Sequence, residues 1–377
     1  MINKEKIREQ FPYLKTGKIY LNHASLGPLP KSTAELLMQY LHDRSEDSVE
    51  NFEKILEIEQ DTKNLLAKFI NTDPDRIAFI DNVSNAMNVL ANGIKWQPMD
   101  EIILFDIEFP ANVYPFMNLT KCGVKLNILK SNSGKIDLDL IKDSITDKTK
   151  LLTISHVQFL SGYRTNLIEL GKICKEKNVI LSVDAIQSFG VIDIDIKEMN
   201  IDFLASGIQK WFLGLEGTSF FVISEELQNK IDQKFVGWLS VKNPWDILDY
   251  NLELLPSAKR FENGTLNYAG IISLYSSLKF FNSLGMKNVE AEILSNTQYL
   301  INRLKEKGFE LYCDFQSQEE MAGIVTIKHP RAKEIVNLLK AKNIICSLRE
   351  GMVRFSPHFY NTKEEIDLVM DVLSKNN

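Results

Sequence analysis

Two apolar runs, each closed by a charge, set the strongest limit on what this chain can fold into. The first covers residues 179–183, β-branched and aliphatic, and ends abruptly in Asp184. The second covers residues 201–205 and is followed after a short turn by Lys210. A short continuous apolar run reads as a strand buried on both faces, the pattern of parallel strands covered by helices. An acid and an amine just past two such strands are delivered to one edge of a sheet, the edge where open α/β folds take their ligands. Further apolar runs at 77–80, 101–105 and 151–157 alternate with stretches of helical spacing at 31–41, 51–70 and 167–177, and a turn and helix follow the first of these runs. Strand and helix in alternation predict a mostly parallel α/β sheet.

A length of 377 residues predicts two domains. Hydrophobic content of 44% and charged content of 25% suit a globular protein with a large core. The 44 basic and 50 acidic residues give a net charge of −6 with no basic domain, which argues against nucleic acid or an anionic membrane as partner. Cys122, Cys174, Cys313 and Cys346 are scattered, with no CxxC pair and no metal-ligand spacing, so they read as reduced thiols and no metal site is expected. The opening MINKEKIREQF has no apolar core of a secretory signal, and no uncharged run is long enough to span a bilayer. The expected location is the cytoplasm.

Lysine beside a carboxylate in a half-buried cleft suits a Schiff base to an aldehyde cofactor whose ring nitrogen the acid holds protonated. The words around the pair sharpen this. DAIQS followed by SGIQKWFLG resembles the class V aminotransferases, pyridoxal-phosphate enzymes whose relatives include cysteine desulfurases, kynureninases and isopenicillin-N-epimerase-like proteins. The likeness runs from YLNHASLGPLP at Tyr20 to VRFSPHFYNT ending at Thr362. It implies the aspartate-aminotransferase-like fold type I: a large α/β domain over residues 15–260 and a smaller α+β domain over 261–377, with 1–14 packing on the smaller one. It also implies a homodimer.

Residue by residue, the resemblance makes Lys210 the Schiff-base lysine, Asp184 the partner of the pyridinium nitrogen, and Gln187 and Gln158 contacts to the ring hydroxyl. Val83 and Ser84 open a helix whose first-turn N–H groups and dipole suit a phosphate, and Asn82 or Ser84 read without the likeness are simply N-caps. Ser206 and Gln209 flank the lysine and face the phosphate. Thr265, in RFENGTLNYAGI, reaches the phosphate of the neighbouring subunit's cofactor. Phe109 lies over the ring where many relatives carry histidine, and it can stack but cannot shuttle a proton. Asn22 and His23 belong to the substrate-side segment, and His156 is either a substrate-side group or a core histidine. Arg354 is suited to bidentate capture of a substrate carboxylate. Residues 238–255, loop-rich and aromatic, read as a lid or subunit contact.

The reaction expected first is transamination of an amino acid or amine. The alternatives are a C–S lyase acting on a cysteine conjugate, an epimerase using His23 or His156 as second proton donor, and a binding protein that keeps the fold without turnover. A persulfide-forming desulfurase is not expected. In NIICSLREGMVRF only a tight turn separates the apolar run from the strand of Arg354, and Cys346 precedes that turn among apolar neighbours.

Overall fold

The computed structural model describes residues 2–375. In chain order its strands are β1 (Ile19–Tyr20), β2 (Ile77–Ile80), β3 (Glu101–Phe105), β4 (Lys125–Leu129), β5 (Thr149–Ser155), β6 (Ile180–Asp184), β7 (Phe203–Gly207), β8 (Ser219–Ile223), β9 (Glu310–Leu311), β10 (Val325–Lys328), β11 (Ile344–Ile345), β12 (Ser347–Arg349) and β13 (Met352–Phe355). The α-helices are α1 (Lys4–Arg8), α2 (Lys31–His42), α3 (Phe52–Phe69), α4 (Val83–Gly93), α5 (Tyr114–Met117), α6 (Leu138–Ser144), α7 (Leu167–Glu176), α8 (Glu225–Lys230), α9 (Tyr268–Leu284), α10 (Met286–Glu306), α11 (Ala332–Ala341) and α12 (Lys363–Ser374).

Seven strands form the main sheet in the order β2-β8-β7-β6-β5-β3-β4. Its pairings are parallel except those of β8, which runs against β2 and β7. Alternate residues of the strands feed two cores, as the two-residue period of a strand requires. Ile103, Leu152, Leu181 and Leu204 point to the face covered by α3, α7 and α9, while Ile102, Leu104, Leu151 and Phe203 point to the face covered by α4. Burial of such side chains contributes about 1.5–3 kcal/mol each, and burial on both faces explains why apolar residues stand at consecutive positions in these runs rather than only at alternate ones.

A four-stranded antiparallel sheet, β12-β13-β10-β9, packs with α10, α11 and α12 around a separate core. The N-terminal segment crosses to this layer. β1 pairs in parallel with β11, and the chain continues beside β13 through the Leu21 carbonyl, which accepts the Ser356 N–H at 2.8 Å. Helix α1 is tied to the same layer by Lys4 on Asn296 and Arg8 on Glu365.

One expectation shifts here. Helix α9, which the reading from sequence gives to the C-terminal domain, buries Ile271, Leu274, Leu278 and Phe281 in the core beneath the main sheet. Val289 and Ile293 at the start of α10 join the same core, and the core of the small layer takes its C-terminal residues from Leu294 onward rather than from residue 261. The run NIICSL divides after Ile345 and serves two partners, β1 through β11 and β13 through β12. Among the described residues no helix is long and apolar enough to cross a membrane.

Candidate active site

Asp184 and Lys210 come from neighbouring parallel strands. Asp184 is the last residue of β6 and pairs with Ala205 of β7, and five residues later the turn after β7 brings up Lys210. Both lie at the carboxyl edge of the sheet. The Asp184 carboxyl group is buried and takes one N–H, that of Ile186 at 2.9 Å. Burial pushes it up to about 6, against the pull of Ile186 N–H and the Lys210 amine and with a push from Glu108. Lys210 is half-buried; burial brings its amine down to about 8, opposed by Asp184 and assisted by Arg354 and Arg349. The two groups bias each other through space without forming a direct ion pair, and the amine stands 5.7 Å from the centre of the exposed Phe109 ring.

Beneath them lies a carboxylate not singled out from the sequence. Glu108 is buried and accepts from Ser155 N–H, Ser155 Oγ, Asn112 Nδ2 and Gln158 Nε2 at 2.6–3.0 Å. Burial pushes its carboxyl group up while these donors pull it down. Glu108 thereby fixes Gln158, whose own Oε1 is buried and has no protein partner. His156 is buried beside them; its backbone N–H donates to the Asp184 carbonyl at 3.0 Å, and its Nδ1 has no partner. Burial lowers its imidazole to about 3, with Arg164 adding to the effect.

Helix α4 starts at Val83, capped by the Asn82 side chain on Asn85 N–H. No described hydrogen bond uses the N–H groups of Val83 and Ser84, which leaves them for a ligand at the dipole's positive end. Ser206 is buried and its hydroxyl donates to the Gly207 carbonyl at 3.0 Å. Thr265 is exposed, in the loop between the buried Glu262 and α9.

The N-terminal loop closes over the lysine. Gly27 N–H donates to the Gln209 carbonyl at 2.9 Å, and a Cβ at Gly27 would lie 2.2 Å from the Lys210 carbonyl oxygen, so only glycine allows this approach. Ser25, not singled out from the sequence, lies on the same loop. Its hydroxyl donates to Asn22 Oδ1 at 2.8 Å and accepts from Arg354 Nη2 at 2.9 Å and Arg349 Nη2 at 3.1 Å. Arg354 is 2% exposed, and its other bonds go to Ser347 Oγ and the Phe159 carbonyl. Every partner is neutral, and burial, aided by Arg349, takes the guanidinium down to about 9.

Two further residues named from the sequence hold protein partners. Gln187 donates to the Ala24 carbonyl at 3.0 Å and accepts the Trp211 indole N–H at 2.8 Å. Trp211 is fully buried and its N–H needs an acceptor, so the amide ties the loop to the lysine turn. His23 has both ring nitrogens engaged, on the Ser356 carbonyl at 2.9 Å and the Tyr360 hydroxyl at 2.5 Å. Its Nδ1–H donates to the carbonyl, so Nε2 accepts from Tyr360. Burial lowers it to about 3 despite the Ser356 bond, which makes it a neutral staple between the N-terminal loop and the segment after β13.

Comparison with known proteins gives a consistent result. A family model described as aminotransferase class-V matches residues 19–369. An uncharacterized aminotransferase, YcbU of Bacillus subtilis, is 28% identical over 370 residues, covering 98% of this chain and 97% of that protein. A probable cysteine desulfurase of Methanothermobacter thermautotrophicus is 28% identical over 398 residues, with 98% and 97% covered. Among solved structures, the apo cysteine desulfurase of Thermococcus onnurineus superposes with a TM-score of 0.91 at 24% identity, covering 100% of this chain and 98% of that one. The cystine C-S lyase C-DES, solved with its product cysteine persulfide, superposes with a TM-score of 0.88 at 24% identity, covering 97% and 99%. These two structures share the fold.

Proposed function

The chain belongs to the class-V aminotransferase family, and from that premise we propose that it is a pyridoxal-phosphate aminotransferase acting at the amino group and Cα of an amino acid. The residues present fit that cofactor: the Lys210 amine outside any direct ion pair, the Asp184 oxygen without a donor, the orphaned Gln158 Oε1 and the open helix end at Val83 and Ser84. Lys210 is its attachment point and Asp184 the partner of its ring nitrogen. Phe109 and Gln158 serve the ring and its hydroxyl; Val83, Ser84, Ser206, Gln209 and a second copy's residue equivalent to Thr265 serve the phosphate. When bound, the group supplies an electron sink for the substrate Cα.

The chain's own residues do the rest. Beyond its bonds to Phe159 and Ser25, Arg354 keeps one hydrogen on each of Nη1 and Nη2, enough for a bidentate grip on a substrate carboxylate. That grip replaces the anionic partner the buried guanidinium lacks. Lys210 Nζ, lowered to about 8, takes the Cα proton as a base matched to near-neutral pH and, as the ammonium so formed, would give it up at an atom other than Cα, which amino-group transfer requires. Asp184 stays ionised above about 6 and keeps its partner nitrogen protonated. The observation that carries the reading is the Lys210–Asp184 pair, adjacent strand ends whose charges influence each other without contact.

A screen of single amino acids against the holoprotein tests it. Amino-group transfer predicts bleaching of the cofactor band with release of one equivalent of keto acid and regeneration by a second keto acid. Release of ammonia with sulfide and no regeneration would support the second reading, a C–S lyase. That lyase would work without an enzyme persulfide. Residues β12 and β13 join through Glu350 and Gly351 alone, both with positive φ (46° and 75°), and burial pushes the Cys346 thiol up to about 12. Epimerisation loses support because neither His23 nor His156 is an acid near neutral pH.

The proposal includes a homodimer. Thr265 borders a 500 Å³ cleft that also involves Trp238 and Trp245, and the adjoining loop exposes Leu248 (81%) and Tyr250 (90%). A second copy laid over this surface accounts for so large an apolar patch. Sedimentation at assay concentration should give twice the chain mass; a fully active monomer removes this part.

A further inference from the structure

The arginine that no expectation covered is Arg349. It ends β12, and the register Ser347 with Arg354 and Arg349 with Met352 puts it on the same face of the hairpin as Arg354, as its diagonal neighbour. The two-residue turn of Glu350 and Gly351 leaves the strand no slack to carry it away. Both guanidiniums donate to one acceptor, the Ser25 hydroxyl, at 3.1 and 2.9 Å. Ser25 Oγ spends its own hydrogen on Asn22 Oδ1, so its oxygen is a pure acceptor toward the two cations. Among the described residues neither arginine has a carboxylate in ion-pair contact. Two positive charges held this close without an acid between them repel each other, and a single neutral hydroxyl does not offset that. One substrate carboxylate answers Arg354, which leaves the charge of Arg349 unanswered.

We propose that Arg349 is a substrate-binding residue and that the substrate carries a second carboxylate. Its α-carboxylate occupies the free Nη hydrogens of Arg354, while its side-chain carboxylate meets the exposed Arg349 guanidinium, with Ser25 oriented between them by Asn22. An acidic amino acid, and the dicarboxylic keto acid made from it, are the matching donor and acceptor class. This rests on the reading of Arg354 as the α-carboxylate site.

Equilibrium binding separates the two claims. Succinate and butyrate, equal in chain length and different by one carboxylate, are titrated calorimetrically into the holoprotein and into Arg349→Gln, Arg349→Lys and Arg354→Gln. Succinate is expected to bind the parent at least ten-fold more tightly than butyrate. Arg349→Gln should erase that difference while leaving butyrate within two-fold, and Arg349→Lys should restore part of it. Arg354→Gln should weaken both ligands ten-fold or more. Equal binding of the two ligands by the parent, or an equal loss of both in Arg349→Gln, overturns the second-carboxylate site while leaving Arg354 intact. An Arg354→Gln variant that binds both as the parent does overturns the underlying reading instead. The same variants should show the preference for acidic over neutral amino acids, read as the ratio of their kcat/KM values, falling ten-fold or more in Arg349→Gln and partly recovering in Arg349→Lys.

Discussion

Lys210 and Asp184 illustrate how burial converts ordinary side chains into reactive ones. An amine at about 8 is roughly 10% neutral at pH 7, about 300-fold more than the same amine at its usual value. Covalent capture of pyridoxal phosphate by the apo protein should therefore speed up as pH rises toward 8 and level off above it, followed by absorbance. In Lys210→Ala no covalent adduct should survive borohydride reduction and mass analysis; the adduct appearing on another lysine would refute the assignment. Asp184 works with the opposite sign on stability. Its folded value of about 6 exceeds the unfolded 3.8, so ionising it opposes folding progressively from pH 3.8 to 6 and fully above that range. Asp184→Asn should unfold at a temperature no lower than the parent's at pH 7.5, with any advantage vanishing near pH 3.5. Turnover should meanwhile fall on the order of 100-fold or more. A loss of stability matching the loss of turnover would mark the acid as structural.

At the scale of elements, the site depends on a loop pressed onto a turn. The segment between β1 and α2 reaches Lys210 because Gly27 has no side chain and because Gln187 joins Ala24 to Trp211. Gly27→Ala drives a methyl group into the Lys210 carbonyl, a backbone contact that cannot swing aside. The variant should keep its sheet by circular dichroism yet lose kcat/KM by 100-fold or more, since a displacement near 1 Å at a site costs that much. Unchanged kinetics would mean that the loop does not position the lysine. The strand end of Asp184 was legible from its sequence because an apolar run ending in an acid has few other readings. The closure by Gly27 was not, because a glycine before a proline reads equally well as a simple turn.

The whole molecule is held between its two layers by neutral histidines. His23 bonds Ser356 and Tyr360, and His358 accepts the Phe359 N–H and donates to the Trp211 carbonyl, so the two rings join the N-terminal loop, the lysine turn and the segment after β13. Burial holds His23 near 3, below its unfolded 6.5. Its contribution to stability is present above pH 6.5 and is lost as pH falls from there toward 3, by up to about 1.4 kcal/mol per pH unit. Buried Asp184 and Glu108, raised by the same burial, act in the opposite sense over part of that range. The difference between parent and variant isolates the histidine. Urea unfolding of His23→Gln between pH 7 and 4 should show a lower stability at pH 7 and a flatter loss with acid than the parent; parallel curves would mean that His23 titrates normally in the fold.

Local sequence determined the sheet, the helices that cover it, the strand-end charges Asp184 and Lys210, and the tight turn that follows the run of Cys346. Each of these is written in residues adjacent along the chain, where periodicity and a breaking residue suffice to read them. Only the tertiary structure decided what faces those residues. It brought Ser25 from the N-terminus between Arg349 and Arg354 from the far end of the chain, set Glu108 under Gln158, gave Gln187 and His23 their buried partners, and gave α9 to the large core. Those outcomes are contacts between distant segments, fixed by which buried donor finds which acceptor, and no short stretch of sequence carries that information.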